Sequence, residues 1–196
     1  MKKMKINFIL SYSPGRKYSM LSMMASIVAQ TNPNWTIHVV CYGEIDLTYL
    51  QDVFSEFDNI KYSTIEREPN IPYSNSPKNY GLSTCTDEWL VFGADDNYYA
   101  PIFVDEMLKI IINNPKVNFI YFDMIHSYFG YTLFKCKPIS HQIDMGSMVA
   151  RTDLAKTLPL LDRTDGDGIF AEEYVAKFCK EKENIHYAEH VYFIHN

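Results

Sequence analysis

Between residues 5 and 113 the chain alternates short apolar runs with stretches whose apolar residues recur at helical spacing. That alternation constrains its fold more than any other feature. Residues 5–11 form the first run, which ends in the turn-prone Ser13-Pro14-Gly15. Leu21, Met24, Ala25 and Val28 then fall on one helical face, and Asn32-Pro33-Asn34 stops it. The β-branched stretch 36–41 predicts a second strand, followed by a helix over 47–57 and a strand over Ile60–Ile65. A polar loop over 66–77, a helix over 79–84 and a buried strand over 89–92 lead straight into Gly93-Ala94-Asp95-Asp96. Pro101 suits the first position of the next helix, with Asp105 and Glu106 in its early turns. Phe103, Val104, Met107, Leu108 and Ile111 form that helix's apolar face.

Strands alternating with helices predict an α/β fold: a mainly parallel central sheet with helices on both faces and a smaller second lobe. Past residue 116 the pattern loosens. Strands are expected over 118–122, 130–136, 145–150 and 187–194, and helices over 152–157 and 169–181. No repeat, low-complexity tract or linker interrupts the chain, so residues 1–196 read as one domain with halves of about 1–105 and 106–196.

A net charge of −6 supplies no broad positive field, which argues against nucleic acid as a partner. The basic opening Met1-Lys2-Lys3-Met4-Lys5 precedes an apolar run too short for a signal peptide or a membrane span. Cys41, Cys85, Cys136 and Cys179 lie more than forty residues apart, the spacing of scattered core thiols in a reducing, cytoplasmic compartment. Fifteen tyrosines contribute to 15% aromatic content, read mainly as core with half-exposed rims, although a groove that stacks on bases or sugars stays open.

Two adjacent carboxylates at the carboxyl end of a buried strand stand where open α/β sheets bind ligands. A hard divalent cation takes one or two carboxylates and completes its shell with diphosphate oxygens. Alone, Asp-Asp-Asn after a strand is more often simply turn chemistry. The surrounding segment from Trp89 to Pro101 closely resembles the metal-binding segment of family 2 glycosyltransferases with the GT-A fold. Ser76-Pro77-Lys78-Asn79-Tyr80-Gly81 resembles that family's basic-Asn-x-Gly element. Ser11-Tyr12, with Ser26-Ile27-Val28-Ala29-Gln30-Thr31 and Trp35, resembles its first strand and helix. Order and spacing agree across residues 5 to 105, and the segment from Ile143 to Arg151 resembles the strand before the acceptor-side helix.

The resemblance implies transfer of a sugar from a nucleotide-diphosphate sugar to a hydroxyl of a glycan or lipid-linked acceptor, with inversion and with Mn²⁺ or Mg²⁺. It makes Asp96 the metal ligand and sets Asp95 at the ribose or the metal. Lys78 and Asn79 stand near the nucleotide, and Ser11 and Tyr12 beside the base. A UDP-sugar is the family's default donor, and polysaccharide assembly with peripheral association at the inner face of the membrane its common setting. Two positions depart from the family. Cys41-Tyr42-Gly43-Glu44 replaces an acidic segment that meets the base, which leaves Glu44 as a substitute, and Gly93 replaces an acidic residue two places before Asp95.

An inverting transferase needs a carboxylate base. The stretch from Asp165 to Glu173 resembles the family's late acidic region and offers Asp167 first, then Glu173 and Glu172. Helix-start chemistry accounts for the same acids equally well. His195 resembles a late metal-ligating histidine of GT-A enzymes, and a surface histidine is the plainer account. His186-Tyr187-Ala188-Glu189-His190 spells a zinc-peptidase pattern, but on a strand its histidines lie about 13 Å apart, too far to share an ion. Two further readings stay open: a non-catalytic module binding a nucleotide sugar or glycan, and a nucleotidyltransferase whose loop is Ser13-Pro14-Gly15-Arg16-Lys17.

Overall fold

A computed structural model describes residues 3–67, 75–163 and 165–196, so Met1, Lys2 and most of the expected polar loop over 66–77 lie outside the described residues. Strands β1 (Ile6–Tyr12), β2 (Trp35–Tyr42), β3 (Ile60–Ile65) and β4 (Trp89–Gly93) alternate with helices α1 (Lys17–Val28), α2 (Thr48–Val53) and α3 (Ser76–Thr84). A two-residue β5 (Tyr98–Tyr99), α4 (Phe103–Asn113), β6 (Phe119–His126) and β7 (Thr132–Phe134) follow. The chain closes with β8 (Met148–Arg151), α5 (Thr152–Ala155), α6 (Gly166–Phe178) and β9 (Ile185–His195).

The described strands form one mixed sheet in the order β3-β2-β1-β4-β8-β6-β9-β5, with β7 on β6. β1 is parallel to β2 and β4, β2 to β3, and β6 to β9. β8 runs antiparallel between β4 and β6. Consequently the carboxyl ends of β1, β2, β4, β6 and β9 and the amino end of β8 meet at one edge. The chain steps outward from β1 to β3 and returns to place β4 on β1's other side. That reversal opens a crevice at the carboxyl ends of β1 and β4, the usual ligand position in such sheets.

The buried strands carry nearly continuous apolar side chains, as strands covered on both faces do. Met20, Met23, Met24 and Ile27 of α1 are buried against the sheet, each contributing roughly 1.5–3 kcal/mol. Phe8, Tyr99 and Phe103 interlock edge-to-face or tilted, and Phe122 and Phe193 extend this aromatic core. The core reading of the aromatics holds for these rings. Tyr128, Phe129 and Tyr131 between β6 and β7 stay exposed.

Several boundaries differ from expectation. The helix expected over 47–57 is the shorter α2, and Pro101 precedes α4, which begins at Phe103. Met145–Ser147, expected as strand, is one 3-10 turn, because the Asp144 side chain accepts the Gly146 N–H at 2.7 Å and caps it. α6 begins at Gly166 instead of Ile169. A Cβ at Gly166 would come within 2.6 Å of the Leu161 carbonyl, so close packing on that loop selects glycine where helix propensity would not. His186 and His190 lie on β9, as the strand reading required. Cys41, Cys85 and Cys136 are buried and Cys179 half-buried.

Candidate active site

Asp95 and Asp96 follow β4 directly, on the turn that leads into β5. Ser26 of α1 and Gln30, two residues past its end, hold that turn. Ser26 Oγ accepts the Tyr99 N–H at 3.2 Å. Gln30 Nε2 donates to the Ala100 carbonyl at 2.8 Å, and its Oε1 accepts the Val104 N–H at 2.9 Å. Gln30 thereby caps α4, whose own N-cap residue Ile102 supplies no side-chain bond. Across the crevice, the Ser13 N–H donates to Asp95 Oδ2 at 2.9 Å, and Ser11 Oγ donates to the Gly93 carbonyl at 3.4 Å. At Gly93 a Cβ would sit 2.8 Å from Leu10 Cδ2 and 2.7 Å from Met23 Cε, so a larger residue there would require those two side-chain ends to move.

Burial pushes the Asp95 carboxyl up to about 6; the Ser13 N–H and Arg16 oppose the rise, and Asp96 adds to it. Arg16, from the loop between β1 and α1, bonds Asp96 through Nη1 and lies 3.7 Å from Asp95. Its role is absent from the sequence reading, because its partners are about eighty residues away.

A second set of charges forms where β8, β9, α3 and α6 begin or end at the same edge. Lys78 in the first turn of α3 lies 3.6 Å from Asp167 in the first turn of α6, and donates to Asn75 Oδ1 at 3.1 Å. Asp144 lies 3.7 Å from His195 at the end of β9. Burial raises the Asp144 carboxyl, the neighbouring Asp167 raises it further, and His195 and Lys78 oppose the rise. His195 stacks on His126 with ring centroids 4.2 Å apart. The sequence assigns Asp144 no role; it lies within the segment from Ile143 to Arg151 that resembles the strand before a late helix.

The loop before α6 is sewn to α3. Asn79 accepts the Leu160 N–H and donates to the Leu160 carbonyl, both at 2.9 Å, and Asn75 Nδ2 donates to the Leu161 carbonyl at 2.7 Å. These bonds bring Asp167 to Lys78. They also occupy both ends of the Asn79 amide, so Asn79, expected beside the nucleotide, serves as a structural pin.

The other expected residues divide. Glu44 is exposed just past the carboxyl end of β2, on the crevice side of the sheet. Tyr12 is 2% exposed and belongs to the core, so its ring offers no open stacking face. Glu172 is exposed and accepts the Ser140 N–H at 3.2 Å, and Glu173 is exposed on α6. Asp167 is thus the one of the three late acids that meets the second charged set. His195 faces Asp144 and His126 instead of joining Asp96.

Among the described residues no three His, Cys, Asp or Glu side chains converge as a ready metal cage. The donors at the turn are nevertheless all oxygen: Asp95, Asp96 and the buried, unpaired Oδ1 of Asn97. That set suits a hard cation whose remaining ligands come from a diphosphate and water.

No family model matches the chain. A Haemophilus influenzae protein described as an uncharacterized glycosyltransferase is 27% identical over 134 residues, spanning 66% of this chain and 44% of that protein. The crystal structure of Staphylococcus aureus TarS residues 1–349 superposes with a TM-score of 0.77 at 16% identity, covering 98% of this chain and 60% of that one. The TarS complex with UDP gives 0.77 at 15% identity, over 97% of this chain and 60% of TarS. The complex with UDP-GlcNAc gives 0.73 at 16%, over 97% and 58%. The fold is therefore the mixed α/β fold of TarS, and this chain spans less than two thirds of each of these proteins.

Proposed function

We propose that this chain transfers a sugar from a nucleoside-diphosphate sugar to an acceptor hydroxyl at the carboxyl edge of its sheet. One observation carries the reading: the Asp95–Asp96 turn and the Asp144–Asp167 pair, each with its own cation, sit at the same edge. The TarS fold, solved with UDP and with UDP-GlcNAc, and the description of the H. influenzae relative support it.

In this reading Asp96, helped by Asp95, holds Mn²⁺ or Mg²⁺. The ion supplies neutralisation of the charge that develops on the departing diphosphate. The Ser13 N–H fixes Asp95, and Lys78 adds a positive charge toward the diphosphate. Asp167 takes the proton of the acceptor hydroxyl, opposite the leaving group, which inverts the anomeric centre. Asp144, raised by burial and by Asp167, shares the second charged set and holds His195 in place. A UDP-sugar as donor, a glycan or lipid-linked acceptor, a hexosyl group as cargo and work at the inner face of the membrane complete the proposal.

Incubating the chain with UDP-GlcNAc, UDP-glucose or GDP-mannose and Mn²⁺, and measuring diphosphate release with and without candidate acceptors, tests it. Asp167→Asn is expected to lower turnover by about 10²–10⁴-fold while UDP affinity stays within about twofold. Full turnover by Asp167→Asn would move the base to Asp144 or Glu173. No release from any donor, with no binding of UDP, would end the reading.

A further inference from the structure

Arg16 is anchored in its backbone, while its side chain is half exposed. Its carbonyl accepts the Met20 N–H at 2.9 Å and Ser19 Oγ at 3.1 Å, which fixes it at the start of α1. Its guanidinium, with the side chain 51% exposed, reaches over the crevice to Asp96 Oδ2 and stands 3.7 Å from Asp95 Oδ1. The two carboxylates are far less exposed, at 18% and 7% of their side chains. Arginine keeps its charge at every relevant pH, so this pair always has a resident cation. A divalent ion on the same carboxylate oxygen would meet that charge at contact distance. The guanidinium fork also matches phosphate oxygens, on which it forms paired, charge-assisted bonds. Lys17 next to it is unsuited to the part, since its ammonium lies 3.8 Å over the Tyr49 ring.

We propose that Arg16 is the built-in counter-ion of Asp96: it competes with a divalent cation for that carboxylate and swings onto the diphosphate of an arriving nucleotide. The proposal rests on the nucleotide-sugar reading of the site and deepens it. The cation binds weakly before the nucleotide, because it must displace a tethered charge. It binds well with the nucleotide, because the diphosphate draws Arg16 away. Cation and nucleotide then load together, and the acidic turn is never left uncompensated.

Calorimetry with Mn²⁺ alone, and with UDP at saturating Mn²⁺, separates the possibilities. Wild type, Arg16→Gln, Asp96→Asn and the double variant are compared. Arg16→Gln is expected to bind Mn²⁺ about 10-fold more tightly than wild type without nucleotide, and to bind UDP about 10-fold more weakly. The gain in Mn²⁺ affinity should vanish in the double variant, and Arg16→Lys should recover part of the UDP affinity. Equal Mn²⁺ affinity in wild type and Arg16→Gln, a gain that survives Asp96→Asn, or undiminished UDP affinity would each overturn the role of Arg16. Wild type that binds no UDP in Mn²⁺ would instead overturn the reading of the whole site, and Arg16's role with it.

Discussion

Asn79 and Glu173 differ in what surrounds them, and that difference governs which substitutions matter. Asn79 meets both polar groups of Leu160, whereas Glu173 is exposed on α6. Asn79→Ala leaves a backbone N–H and a carbonyl without partners in a part-buried place, at a cost of about 1–3 kcal/mol. It also loosens the loop that delivers Asp167 to Lys78. The expected outcome is a lower midpoint in urea together with reduced turnover, and normal stability in Asn79→Ala would contradict the pin. The sequence displayed the acids themselves, because Asp-Asp after an apolar run is a local pattern. It did not display the partner of Asp96, since Arg16 lies about eighty residues earlier, and its basic loop after the first strand carries no sign of the acids it meets. Asn79 stands inside a motif that resembles a binding element, and its bonds in the fold go to the Leu160 backbone, a contact that no local pattern announces.

Among the elements, α4 shows how a recognisable pattern acquires a mechanical meaning. Gln30 closes the expected first helix and reaches across to the Ala100 carbonyl and the Val104 N–H. It therefore ties α1 to the first turn of α4 and sets the turn that carries Asp95 and Asp96. Gln30→Leu removes these bonds and is expected to cost about 1–2 kcal/mol, read as a lower thermal midpoint. A midpoint equal to wild type would show that α4 needs no cap from outside. The first four strands were legible because buried parallel strands are short continuous apolar runs. β5 was not, since two residues carry no periodicity. The apolar residues at Met145–Ser147 suit a strand, and the Asp144 cap makes them a turn instead. α6 was placed late because Gly166 and Gly168 depress helix propensity, while their close approach to Leu161 and Ser140 requires them.

For the molecule as a whole, the sheet's stability carries a titration of its own. His38 of β2 is buried against Ser63 and Thr84, at 2.9 and 3.4 Å. Burial, helped by the charge of Lys61, lowers it from 6.5 to about 4. Between those values the unfolded chain binds the proton and the folded chain does not, so stability falls as pH falls from 6.5 toward 4. The loss attributable to His38 reaches at most about 3 kcal/mol, and His38→Gln should lack it when urea midpoints are compared at pH 7 and pH 4.5. Identical pH dependence in the two proteins would contradict a neutral, buried His38. Among the described residues no helix is long and apolar enough to cross a membrane. The alternation of strands and helices pointed to a mainly parallel sheet, and the order that sets β4 beside β1 comes from the structure. The return of β8, β6 and β9 beside them came from long-range pairing that no local pattern announces.

We propose that the carboxyl edge between β1 and β4 binds a nucleoside diphosphate through Asp96. Isothermal titration of UDP into wild type and Asp96→Ala, each in Mn²⁺ and in EDTA, tests it most directly. Wild type is expected to bind in Mn²⁺, at least about 10-fold more weakly in EDTA, with a similar loss in Asp96→Ala. Equal affinity in all four titrations, or none in wild type with Mn²⁺, would contradict it.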